Sequence, residues 1–126
     1  MMKCLIDTCG WIEWLIDGSL AERFEPWLKE LDTVIMPTII QFELYKWVCR
    51  ERGEKEALEV IALTEQCQVV VFSSEIALLS AELSINHKLS TADAMIYGTA
   101  RLYQVPLITC DAHFEQLPSI TYFSKL

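Results

Sequence analysis

Two rhythms of apolar and polar positions run along this chain. Five short apolar runs, KCLI, TVIM, VVVF, PLIT and ITYF, have the length and continuity of strands buried in a parallel sheet. Most are separated by stretches in which apolar residues return every three or four positions, the spacing of a helix face. Trp11, Trp14 and Leu15 mark the first stretch, from about Cys9 to Ile16. An irregular helical region over 19–31 follows, interrupted by Pro26, which begins a new turn or kinks the old one. Long helices are predicted over 38–52, stopping at Gly53, and over 54–66; Thr38 and Gln41 give the former a capping-box spacing. After VVVF come two more helices, 74–88 and 91–103, with no strand between them. Ser90 and Asp93 open the second at capping-box spacing, and a short helix is predicted after Asp111. Strands alternating with helices indicate the α/β class, a central parallel sheet of four to five strands flanked by helices.

With 126 residues, 52% of them hydrophobic and 22% charged, the chain is sized for one domain, 1–126, with an adequate core. No window reaches the roughly 20 apolar residues of a membrane span. The amino terminus also lacks the charged, apolar and small-residue regions of a leader, so a cytoplasmic protein with no membrane partner is expected. Five cysteines without a C-x-x-C pair read as reduced thiols that pack like small apolar residues. The net charge of −8 opposes binding of nucleic acid through a basic patch. It leaves room for carboxylates that hold divalent cations, which then supply the positive field, and it suits a basic protein partner.

The positions of certain acids make the first of these concrete. Strands of a parallel sheet point one way, and Asp7 and Asp111 each follow a strand directly, so both lie at the carboxyl edge. Glu43 lies in the first turns of the helix that leaves this edge after TVIM. The helix carrying Asp93 precedes PLIT, and its dozen residues, at roughly 1.5 Å each, span about 18 Å, enough to return the chain to the opposite edge. Asp93, near its start, therefore lies at the carboxyl edge as well. Four acids, Asp7, Glu43, Asp93 and Asp111, converge where open α/β sheets hold ligands. Like charges so gathered repel unless a cation joins them, and an all-carboxylate set suits hard Mg²⁺ or Mn²⁺. Taken singly each acid has a plain structural role: Asp7 and Asp111 as helix caps, Asp93 as the third residue of a capping box, and Glu43 as a partner of Lys46.

Asp7-Thr8 after a strand, Glu43 after a Pro-Thr turn, STADAMIYGTA around Asp93 and ITCDAHF around Asp111 resemble the four acidic motifs of PIN domains. The likeness spans essentially the whole chain and is nearest to VapC-type toxins of bacterial type II toxin–antitoxin systems. The resemblance implies a three-layer sandwich and a Mg²⁺- or Mn²⁺-dependent endoribonuclease, with Asp7, Glu43, Asp93 and Asp111 as catalytic metal ligands. It further implies RNA hydrolysis by a metal-activated water, a homodimer, and a cognate antitoxin that covers the acidic cleft. Two positions depart from the pattern: Cys9 stands where the family usually has Ser or Asn, with Thr8 or Thr109 as substitutes for the missing contact. His113 stands where many members have a further Asp.

Lys46 and Arg50 follow Glu43 by about one and two helical turns; surface pairing, with Glu43 or Glu54 among the partners, is favoured there over contact with substrate phosphate. Trp11, Trp14, Phe24, Trp27, Tyr45 and Trp47 are expected mostly in the core, some near the first two helices facing an antitoxin. His87 is read as an ordinary surface residue. A phospho-aspartate phosphatase fits poorly, because Cys9 stands where such enzymes commonly have a second Asp. A receiver domain would need a Lys on a late strand, and neither PLIT nor ITYF has one. A Cys9–His nucleophile lacks any positioning signal. The remaining alternative is a catalytically weak PIN-like scaffold that binds RNA or a partner.

Overall fold

The computed structural model describes residues 2–125. Five parallel strands form one sheet: β1 (Cys4–Ile6), β2 (Val34–Pro37), β3 (Gln68–Val70), β4 (Leu107–Thr109) and β5 (Ile120–Tyr122), in the spatial order β3-β2-β1-β4-β5. Six helices connect them: α1 (Thr8–Leu15), α2 (Ala21–Leu28), α3 (Thr38–Arg52), α4 (Glu54–Thr64), α5 (Ser74–His87) and α6 (Thr91–Leu102). The α/β architecture is the expected one, with five strands.

Burial explains the strand order. β1, β2 and β4 are buried at every position and lie inside the sheet. β3 and β5 form its edges and are only partly covered. The third strand differs from the VVVF reading: it starts earlier, at Gln68, and ends at Val70, leaving Val71 and Phe72 exposed. An apolar run alone does not say which of its residues a neighbouring strand can reach.

Chain direction reverses across the sheet between β1 and β4. The chain moves outward from β1 through β2 to β3, then crosses over by way of α5 and α6 to β4 on the other side of β1. Such a switch point opens a crevice at the carboxyl ends of the two strands. Residues 7 and 111 follow these two strands closely, which brings Asp7 and Asp111 to the crevice.

Helix packing seats the remaining positions. α3 and α4 pack together, as do α5 and α6. The turn between α3 and α4 is Gly53 at φ +95°, a conformation that side-chain-bearing residues rarely adopt. At the start of α1, a Cβ on Gly10 would meet the Phe24 ring at 2.5 Å and Ile6 at 2.8 Å. Glycine there lets α1 lie against the core one turn beyond Asp7. α2 continues through Pro26 to Leu28, and a separate 3-10 turn covers Leu31–Thr33. The capping box expected at Thr38 is absent: Thr38 is already helical behind Pro37, and Gln41 bonds Thr64 and Glu65 at the end of α4 instead. Ser90 does cap α6, its hydroxyl accepting from the Asp93 N–H at 3.4 Å.

Of the six aromatics expected mostly inside, Trp11 and Phe24 are fully buried, and Trp14 and Trp27 pack partly covered against the core. Tyr45 and Trp47 are only half-buried on α3. All five cysteines are free thiols. Among the described residues, no helix is long and apolar enough to cross a membrane.

Candidate functional site

Asp7 caps α1, its Oδ1 accepting the Thr8 N–H at 2.8 Å. Its other oxygen accepts the Thr109 hydroxyl at 2.8 Å and faces Cys9 Sγ at 3.7 Å. The residue is only 5% exposed. Burial pushes its carboxyl well above the usual carboxylate range; the Cys9 thiol and Asp111 push the same way, against the pull of the Thr109 and Thr8 hydrogen bonds.

Asp111 is tied to Asp7 through Thr109. The Asp111 N–H donates to Thr109 Oγ1 at 2.9 Å, and that hydroxyl donates to Asp7. The Asp111 carboxylate caps the 3-10 turn Ala112–Phe114, accepting the His113 N–H at 2.9 Å. Phe114 is fully buried and pins this turn to the core, while the neighbouring His113 side chain is 75% exposed. His113 Nδ1 lies 3.3 Å from Asp111 Oδ1 and 3.3 Å from Asp93 Oδ2. Glu43 joins from the opposite side, where the Thr8 hydroxyl donates to its Oε1 at 2.5 Å.

Contacts through Thr8, Thr109 and His113 thus link all four acids around the β1/β4 crevice. Their proximities are unequal. Asp93, Asp111 and His113 each offer a ligand atom within 4.8 Å of one another, a trio that excludes Asp7 and Glu43. The capping roles of Asp7 and Asp111 are real and coexist with a place at the crevice, because a carboxylate that satisfies one N–H retains other lone pairs. The Asp93 carboxylate faces His113 and does not close a capping box.

The donor set fits a hard divalent ion. Among the described residues, no Lys or Arg forms an ion pair with any of the four acids. Carboxylate oxygens suit Mg²⁺ and Mn²⁺, and an imidazole nitrogen among them shifts the balance toward Mn²⁺.

Two hollows flank the acids. One, of about 250 Å³, is lined by Thr8, Ile12, Phe42, Glu43, Lys46, Trp47 and Arg50. The other, of about 270 Å³, includes His87, Lys88, Asp93 and His113. Several side chains here differ from the sequence reading. Lys46 does not pair with Glu43; its Nζ sits 5.8 Å over the ring of Phe42, which is 60% exposed. Arg50 makes the surface pairing expected of it, with Glu51 as its partner at 3.3 Å. His87, read as having no role, lines the second hollow and packs edge-on to Tyr97. Phe42 and Cys110 carried no signal in the sequence, since an isolated Phe or Cys at helical or strand spacing looks like core. The Cys9 thiol is pushed up by its hydrogen bond with Cys110 and by burial, the opposite of an activated nucleophile.

A search against family profiles matches the PIN domain over residues 4–120. The chain belongs to the PIN domain family. No curated protein sequence matches it. The fold of this PIN domain is similar to that of a chain in a toxin–antitoxin complex from Klebsiella pneumoniae, with TM-score 0.77, 23% identity and coverage of 94% of this chain and 95% of that one. It is also similar to the fold in DNA-bound VapBC from Salmonella typhimurium (TM-score 0.73, 21% identity, 98% of each chain). A third likeness is to the sarcin-ricin-loop-cleaving VapC toxin of Mycobacterium tuberculosis, with TM-score 0.75, 15% identity and coverage of 94% of this chain and 98% of that one.

Proposed function

We propose that this PIN domain is a divalent-metal-dependent endoribonuclease, the toxin of a toxin–antitoxin pair, that hydrolyses RNA phosphodiesters. The observation that carries the reading is the linked set of four acids at the β1/β4 crevice, without a Lys or Arg ion pair among the described residues. Family membership supports a nuclease, and the toxin–antitoxin neighbours support an antitoxin partner. Asp7, Glu43, Asp93 and Asp111 are the proposed ligands of Mg²⁺ or Mn²⁺, with His113 beside them. A bound divalent ion supplies Lewis-acid charge and a more acidic water at the scissile phosphate.

The chain's own residues do the remaining work. Thr8 and Thr109 hold Asp7 by two hydrogen bonds, one from an amide and one from a hydroxyl; the Thr8 hydroxyl donates onward to Glu43, and the Thr109 hydroxyl accepts the Asp111 N–H. The strand-end acids, Asp7 and Asp111, are the rigid members; Glu43 and Asp93 complete the set from helices. Phe42, Lys46, Trp47 and Arg50 line the hollow next to Glu43, a combination of π faces and cations that suits a single RNA strand leaving the acids. A homodimer in the cytoplasm, held inactive by its antitoxin, completes the proposal.

The test is RNA cleavage by the purified chain with Mn²⁺, with chelator, and with Asp7→Asn. Cleavage that needs the ion and disappears in the variant is the expected result; parent-like cutting by the variant would refute it. One observation favours the scaffold alternative: Asp7 and Glu43 stand outside the tight trio. RNA binding without Mn²⁺-dependent cutting is the outcome that selects it.

A further inference from the structure

Cys9 and Cys110 meet beside Asp7. Cys9 is the second residue of α1, and Cys110 directly follows β4. The Cys110 N–H donates to Cys9 Sγ at 3.3 Å, which fixes the Cys9 sulfur against the Cys110 backbone. The same sulfur lies 3.5 Å from Thr109 Oγ1 and 3.7 Å from Asp7 Oδ2. The Cys110 side chain springs from that same backbone, so the two cysteines stand side by side where the start of α1 meets the end of β4.

We propose that Cys9 and Cys110 form a modification site: a peroxide-class oxidant converts them to a reversible disulfide next to Asp7. One of the two sulfurs, as its thiolate, attacks one peroxide oxygen, the O–O bond breaks, and hydroxide leaves to become water. The resulting sulfenic acid is then attacked at sulfur by the other cysteine, whose proton passes to the departing oxygen as the second water. Two thiols lose two electrons and one peroxide gains them. A thiol reductant returns the pair to its starting state.

Selectivity follows from the surroundings of the other cysteines. Cys4 is fully buried, out of reach of an oxidant from solvent, and burial pushes both Cys4 and Cys67 up to about 12. Cys49 lies half-buried on α3, beside Tyr45. Cys110 is 7% exposed, and Cys9 is the more open member of its pair, so a molecule as small as a peroxide needs only the Cys9 side of the crevice. In a reducing compartment such a bond is transient and reports oxidant. Once formed, it removes the S–H that faces Asp7 and draws the start of α1 toward the end of β4. The effect on metal uptake rests on the function proposed above; the disulfide itself does not.

The experiment exposes the folded chain to hydrogen peroxide, then counts thiols, measures intact mass and maps peptides, with Mn²⁺ uptake followed by calorimetry. Free thiols should fall from five to three, mass should drop by two hydrogens, and one peptide should join Cys9 to Cys110. Mn²⁺ affinity should weaken roughly tenfold or more, the usual consequence of disturbing a group that orients a ligand, and dithiothreitol should restore both. Cys9→Ser and Cys110→Ala should each abolish the linkage; if the alanine variant does not fold, the serine variant decides. Five thiols surviving peroxide, sulfinic acid on Cys110 with Cys9 free, or a Cys4–Cys67 linkage would overturn the site. A disulfide with unchanged Mn²⁺ affinity would overturn its coupling to Asp7. Absence of Mn²⁺ uptake in both redox states, with the disulfide formed, would refute the metal reading and leave the thiol result standing.

Discussion

Asp7 and the trio Asp93, Asp111 and His113 lie at the same crevice but in opposite environments. Asp7 is almost sealed from solvent and held by Thr8 and Thr109, whereas the His113 side chain is 75% exposed. Burial raises the Asp7 carboxyl, so the folded chain disfavours the charge that a metal ligand must carry. The rim trio has its ligand atoms close together, with His113 open to water and the two acids partly covered. The inner acid therefore supplies rigidity at a cost in stability, and the rim supplies access.

The sharpest way to break this comparison is Asp7→Asn. Metal-dependent RNA cleavage should fall by more than the roughly 10–100-fold that follows from disturbing a ligand's neighbour, read by gel assay with Mn²⁺. The same variant should melt a few °C higher than the parent in chelator at neutral pH, the response to about 1 kcal/mol in a domain of this size. Loss of activity with loss of stability would show that Asp7 is a structural group first.

Thr109→Val separates rigidity from charge. It removes the hydroxyl that donates to Asp7 and accepts from the Asp111 N–H. Losing both of these bonds should cost about 1–3 kcal/mol, read by denaturant unfolding, and Mn²⁺ affinity should drop by roughly 10–100-fold. At the rim, Asp93→Asn should weaken Mn²⁺ uptake while shifting the melting temperature less than Thr109→Val does, because among the described residues its carboxylate bonds only the exposed His113.

The pH dependence has a definite sign. An acid whose folded pKa is raised binds its proton more tightly in the folded state. Between the ordinary carboxylate value and the raised one, the folded chain holds more protons than the unfolded chain, so stability falls as pH rises through that window. Melting curves in chelator should follow this trend, Asp7→Asn should flatten it, and Mn²⁺ should oppose it at the upper end. The smallest expected effect is at the α3 hollow. Replacing Lys46 and Arg50 with Gln should raise KM for RNA a few-fold and flatten the salt dependence of binding, with little change in melting temperature.

Much of this architecture is legible in the sequence. The helices and strands announced themselves because buried strands need continuous apolar runs and helices need apolar residues every three or four positions. Asp7 and Asp111 were legible as crevice residues because each follows an interior strand. Less was readable where side chains choose among partners. Thr38 and Gln41 have capping-box spacing, yet Gln41 turns to α4; Lys46 has the spacing to reach Glu43, yet sits over Phe42. Local spacing allows such contacts, and packing between distant helices selects among them.

The order of residue types alone determined the α/β class, the four acids and the excess of carboxylates over nearby cations, because these depend on periodicity and composition along one chain. Only the tertiary structure decided that Asp7 is sealed while the rim is open, and that Cys9 meets Cys110 across 101 positions of sequence. Burial and pairing at such separations arise when β1 and β4 become neighbours in the sheet, a relation that no local pattern encodes.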